Sequence, residues 1–142
     1  MSAMFEPAFF DTNLFLYAYS EAPEDAAKRS RARELLMAHL PVISGQILQE
    51  FVAAALRKKP LGITEDKIDE FLSITADFPF QPVTRNLIVE ANALRRRHAF
   101  SHWDSTILCA ARASGCRILY SEDLQDGFSF GSLTVVNPFC QP

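Results

Sequence analysis

Four carboxylates stand where a sequence built only for packing would avoid a charge. They are Asp11 in Phe9-Phe10-Asp11-Thr12-Asn13, Glu50 in Gln46-Ile47-Leu48-Gln49-Glu50-Phe51, Asp104 in His102-Trp103-Asp104-Ser105, and Asp123 in Tyr120-Ser121-Glu122-Asp123-Leu124. They span almost the full chain, so only folding can bring them together. If they converge, their repulsion calls for a cation, and a hard divalent metal suits oxygen ligands. The chemistry implied is metal-assisted attack on phosphate esters.

The four differ in strength. Ile107, Leu108 and Ala111 follow Asp104 at the spacing of one helix face, which puts its carboxylate on an apolar stripe. An unpaired charge there is costly, so a partner is expected; the plainer account is an Asp in a helix's first turn, favoured by the dipole. Asp11 follows a hydrophobic run, where helix capping explains it equally well, and Asn13 adds a second polar group or steadies the turn. Glu50 lies one turn after Ile47 and one before Ala54. Periodicity alone favours a solvated Glu there, but a strand ending at Ser44 would start this helix at the same sheet edge as Asp11. Asp123 is the weakest alone, because with Glu122 and Asp126 it reads equally as a solvated acidic loop.

The elements that must position these groups follow from periodicity. Short apolar runs at Ala8–Asp11, Pro41–Ser44, Phe80–Val83, Arg117–Tyr120 and Leu133–Val136 predict strands. Helices are expected over Leu14–Tyr19, from Pro23 to about His39, over Gly45–Lys58, after Thr64 with Ile68, Phe71, Leu72 and Thr75 inward, from Thr84 to His98, and over His102–Ala113 with Gly115 beyond. This alternation predicts a three-layer α/β domain around a mainly parallel sheet, a single domain over residues 1–142. Ligands in such sheets bind beyond the carboxyl ends of the strands, where Asp11 and Asp123 would both lie.

Composition narrows the class. With 49% hydrophobic residues and 12 Phe, the chain can build a core without covalent staples. Cys109, Cys116 and Cys140 form an odd set lacking a C-x-x-C pair, against a disulfide framework or a structural zinc site. No apolar run reaches membrane-spanning length, and Met1–Pro7 lacks the pattern of a secretory signal, so the cytoplasm is the expected location. Nucleotide-loop and serine-hydrolase motifs are absent. Either His98 or His102 could line a pocket, but the plainer reading is a cationic helix end and a helix start. The net charge of −3 does not advertise a nucleic-acid binder. Yet Lys28, Arg29, Arg31 and Arg33, then Arg57, Lys58 and Lys59, then Arg95–Arg97 form basic clusters. The last two fall at helix C-termini, where the dipole favours cations; together, basic rims around an acidic pocket would suit a polyanion.

These motifs, in this order, resemble those of PIN-domain proteins, and among them the VapC-type toxins of type II toxin–antitoxin pairs. The resemblance runs through Phe9–Asn13, Ser44–Phe51, Trp103–Ser105 leading into Ile107, and Leu119–Leu124, and so covers essentially the whole chain. It implies a parallel five-stranded sheet and an acidic pocket of Asp11, Glu50, Asp104 and Asp123, supported by Asn13 and Ser121. It further implies Mg²⁺ or Mn²⁺ as cofactor, RNA as substrate, a homodimer, and a cognate antitoxin whose C-terminal segment lies across the site. Similar chains often carry His where this one has Asp126, so either Asp123 or Asp126 would approach the metal; Asp123 is nearer the strand end and is preferred.

The function expected is therefore a metal-dependent endoribonuclease acting as a toxin. The alternative is a non-catalytic PIN module that binds RNA or protein, which need not keep all four acids. A receiver-like signalling domain also uses an acidic pocket and Mg²⁺. It requires an acceptor Asp after a middle strand and a Lys near the last, but that strand ends at Ser44 and no Lys follows Lys67.

Overall fold

A computed structural model describes residues 5–140; the start of the segment expected to lack a secretory signal lies outside the described residues. Six strands, β1 (Pro7–Phe10), β2 (Leu40–Ser44), β3 (Phe80–Gln81), β4 (Ile118–Tyr120), β5 (Ser129–Phe130) and β6 (Leu133–Val136), form one sheet in the order β3-β2-β1-β4-β6-β5. Every neighbouring pair is parallel except β5 with β6. The helices are α1 (Thr12–Tyr19), α2 (Ala26–Ala38), α3 (Gly45–Arg57), α4 (Glu65–Ile74), α5 (Arg85–His98) and α6 (His102–Ala113). Helix α1 packs on α2 and α3, α3 also meets α4, and α5 pairs with α6.

The strands are short and apolar because helices cover the sheet. Ala8, Phe9, Phe10, Ile43, Leu119 and Leu133 are all fully buried. The apolar stripe of α3 meets α4 through Phe51 and Phe71, whose rings stack with centroids 3.7 Å apart. Burying such side chains stabilises the fold by roughly 1.5–3 kcal/mol each.

The sheet order decides where a site can form. From β1 the chain winds outward through β2 to β3, and later returns on the other side of β1 with β4. The reversal lies between β1 and β4, the switch point at which α/β sheets open a crevice beyond their carboxyl ends. Phe10 pairs with Tyr120 in the register, so Asp11 and Ser121 are the next residues out, side by side at that crevice.

The sequence-based expectations need four corrections. The sheet has six strands, not five: β5 lies in the loop before Leu133, with Gly127 and Gly131 at positive φ on either side. Two residues carry no readable alternation. Strand β3 stops at Gln81, because Pro82 has no N–H to continue a ladder. The segment from Pro23 begins as a 3-10 turn, Pro23–Asp25, before α2. Leu72, expected inward, is 41% exposed, and α4 buries only Ile68 and Phe71.

Candidate metal-binding active site

Asp11 ends β1 and caps α1: its Oδ1 accepts from Thr12 N at 2.7 Å, satisfying one of the free amides of the helix start. Its Oδ2 accepts from Ser121 Oγ at 2.7 Å. The same Ser121 oxygen accepts from Asp123 N and Leu124 N at 3.3 and 3.2 Å, which folds the turn after β4 back toward Asp11. Asn13 completes the link, its Nδ2 donating to Asp123 Oδ2 at 3.1 Å and its Oδ1 accepting from Glu122 N at 3.4 Å.

Glu50 reaches the crevice from α3. Thr12 Oγ1 donates to its Oε1 at 2.8 Å, and Gln46 Nε2 donates to its Oε2 at 3.0 Å. Gln46 Nε2 also donates to the Trp103 carbonyl at 3.1 Å, tying the start of α3 to the start of α6. Asp104 is half-buried in the first turn of α6, where Ser101 Oγ accepts from its backbone N–H at 3.0 Å.

Asp11 and Asp104 each lie within electrostatic reach of Glu50 and Asp123. Burial pushes the Asp11 carboxyl up to about 6; Ser121 and the Thr12 amide pull it down, and Glu50 and Asp123 push it up again. Asp104 is also raised, first by burial and then, against Ser101, by Asp123 and Glu50. Among the described residues, no ion pair neutralises any of the four. Glu122, the neighbouring acid, has a cation of its own in Lys28.

The donor set fits a hard divalent ion: it is all oxygen and anionic, and no Lys or Arg among the described residues pairs with it. Both oxygens of Asp11 and of Glu50 already accept hydrogen bonds, but a carboxylate has about four acceptor positions and keeps some free. Among the described residues, no three His, Cys, Asp or Glu side chains form a cluster ready to hold one ion directly. An ion of the Mg²⁺ type keeps several of its waters, so some of the four carboxylates would reach it through water. Three buried oxygens without a protein partner, Ser44 Oγ, Gln46 Oε1 and Ser105 Oγ, belong to the segments that carry Glu50 and Asp104. Each of these oxygens has capacity left to accept from a water, including one carried by an ion.

A model of the PIN domain matches residues 8–128 of the chain, from β1 through the turn that carries Asp123. The chain belongs to the PIN-domain family. Among solved structures, this PIN domain is similar to a toxin–antitoxin complex from Klebsiella pneumoniae, with a TM-score of 0.68 and 19% identity over 93% of this chain and 98% of that one. It is similar to VapC20 of Mycobacterium tuberculosis, described as a sarcin–ricin loop cleaving toxin, with a TM-score of 0.64 and 18% identity over 79% of this chain and 86% of that one. FitAcB from Neisseria gonorrhoeae gives a TM-score of 0.64 and 17% identity over 93% and 98%. At such identities the likeness is one of fold. No curated protein matches the chain by sequence.

The PIN domain thus brings Asp11, Glu50, Asp104 and Asp123 to one edge of its sheet, with Asn13 and Ser121 between them. Asp126 is engaged with another partner, its Oδ1 accepting from Asn137 N at 2.8 Å. Two linking residues escaped sequence reasoning: Thr12, which bridges Asp11 and Glu50, and Gln46, which bridges Glu50 and α6. Gln46 precedes Glu50 by one helical turn, a spacing that could have revealed it. The residues of the first basic cluster all have partners within the chain. Arg29 and Arg33 donate to the Ser20 and Ala18 carbonyls at the end of α1, Arg31 pairs with Glu34, and Lys28 pairs with Glu122. Beside Glu50, a cleft of about 660 Å³ opens between α3, β3, α5 and α6, walled by Phe80, Val83, Ile88, His102 and the exposed Trp103.

Proposed function

We propose that the chain is a metal-dependent endoribonuclease that hydrolyses RNA phosphodiester bonds and acts as the toxin of a type II toxin–antitoxin pair. The observation that carries this reading is the convergence of four carboxylates at the switch point of the sheet, with no neutralising cation among the described residues. Membership of the PIN-domain family supports nuclease chemistry, and the solved neighbours of like fold described as toxin–antitoxin complexes or as a toxin that cleaves the sarcin–ricin loop support the RNA substrate and the antitoxin partner.

In this reading Asp11, Glu50, Asp104 and Asp123 hold Mg²⁺ or Mn²⁺, with Asn13 and Ser121 as supporting polar groups. When bound, the metal supplies a Lewis acid for the phosphoryl oxygens and lowers the pKa of an attacking water. The chain's own work is orientation. Ser121 and the Thr12 amide fix both oxygens of Asp11, Thr12 and Gln46 fix both of Glu50, and Asn13 fixes Asp123. Fixed ligands need no rearrangement as charge develops on the phosphate.

A homodimer and a bound antitoxin belong to the same proposal. The cleft beside Glu50 supports a protein partner, since exposed apolar surface of this kind is characteristic of interfaces. No helix among the described residues is long and apolar enough to cross a membrane, and the cytoplasm is the proposed location. The test is purified protein on a mixed RNA panel with Mg²⁺ or Mn²⁺, and with EDTA. Metal-dependent cleavage is expected. RNA that is bound but never cut would indicate the non-catalytic module, and cleavage that survives EDTA would remove the metal mechanism.

A further inference from the structure

Glu122 lies between Ser121 and Asp123 in sequence, yet its carboxylate turns away from the acidic pocket. Tyr17 Oη donates to its Oε1 at 2.5 Å, and Lys28 Nζ pairs with its Oε2. Lys28 also donates to Tyr17 Oη at 3.3 Å. Its ammonium stands 4.9 Å from the Tyr17 ring centroid and 5.4 Å from that of Phe139. Those two rings meet edge to face, 5.1 Å apart. Lys28 is thus boxed between two aromatic rings and two oxygens, an arrangement that fixes a flexible side chain.

On its backbone side the same residue is held by the site itself, since Glu122 N donates to Asn13 Oδ1. Asn13 in turn holds Asp123. The turn Ser121–Leu124 is therefore pinned by Asp11 through Ser121, by Asn13 through two bonds, and by Lys28 and Tyr17 through the Glu122 carboxylate. Asp123 is exposed and makes few contacts of its own, so its position depends on the residues that anchor this turn.

We propose that Lys28 and Tyr17 are positioning residues for the metal site, clamping Glu122 so that Asp123 stays beside Asn13 in the pocket. This rests on the metal-site reading above. Charge alone and positioning predict opposite outcomes. Removing Lys28 leaves an uncompensated negative charge next to Asp123, which by Coulomb attraction alone would tighten the binding of a cation. If Lys28 acts through the turn, its loss loosens Asp123 and weakens the cation instead. Removing a group that orients a metal ligand commonly costs about 10–100-fold in affinity.

The experiment is calorimetric titration of Mn²⁺ into the purified wild type and three variants, with circular dichroism to confirm folding. Lys28→Met is expected to weaken Mn²⁺ binding about tenfold, and Lys28→Arg, which keeps the ion pair, to stay within about threefold of wild type. Tyr17→Phe removes one hydroxyl and is expected to weaken binding about threefold; it carries the test if Lys28→Met does not fold. Unchanged or tighter binding in Lys28→Met, or unchanged binding in Tyr17→Phe when it stands alone, would overturn the positioning role while leaving the metal site in place. Absence of Mn²⁺ binding by the wild type would overturn both.

Discussion

Ser121 Oγ donates to Asp11 Oδ2 across the gap between two parallel strands, β4 and β1, at 2.7 Å. One hydroxyl thereby orients the most buried of the four acids and, by accepting from the Asp123 and Leu124 amides, shapes the turn that carries another. Ser121→Ala should lower RNA cleavage about 10–100-fold and shift the acid limb of the pH–rate profile upward, since this hydrogen bond holds the Asp11 carboxyl down against burial. A pH–rate series on wild type and variant checks both.

Asp11 sets a conflict between stability and function. Its carboxyl titrates at about 6 in the folded chain against an ordinary 3.8. Between those values the folded state keeps a proton that the unfolded state has lost, so metal-free stability rises as pH falls from 7 toward 4. The contribution of this one group is up to about 3 kcal/mol. Denaturant titrations in EDTA at pH 7.5 and pH 5 should show that slope. Asp11→Asn should flatten it and melt higher than wild type at pH 7.5, while losing cleavage.

Thr12 joins two acids that belong to different elements, through its amide to Asp11 and its hydroxyl to Glu50. Thr12→Val keeps the shape and the amide but frees Glu50 Oε1. Cleavage should fall about tenfold, with a stability loss of no more than about 1–3 kcal/mol for the one hydrogen bond, and Thr12→Ser should recover most of the cleavage. Kinetics beside a thermal melt separate the two effects.

Far from the site, Ala99 closes α5 at φ +59°, a left-handed conformation that a Cβ disfavours. Ala99→Gly should raise stability by about 1 kcal/mol, measured by urea unfolding, with cleavage unchanged.

The sequence made the architecture readable because the signals were local. Thr64 and Thr84 cap α4 and α5 as their positions suggested, and the stripe Ile47, Phe51, Ala54 and Ala55 is buried. Asp11 and Asp104 were legible for the same reason: one ends an apolar strand, the other interrupts an apolar helix face. What stayed hidden depends on distant partners. Thr12 and Glu50 are 38 residues apart, Asn13 and Asp123 are 110 apart, and no periodicity predicts either meeting. The partners of the first basic cluster were hidden too, because a run of cations looks alike whether it faces a ligand or the end of α1. Strand β5 escaped because two residues between glycines carry no pattern.

The central claim is that four carboxylates from four separate segments form one metal site. The most direct measurement is Mn²⁺ titration by calorimetry of wild type, Asp11→Asn, Glu50→Gln, Asp104→Asn and Asp123→Asn, each checked for folding. The account predicts saturable binding by wild type and weakening of about tenfold or more in each variant. Wild type that binds no Mn²⁺, or folded variants that bind it as tightly as wild type, would contradict it.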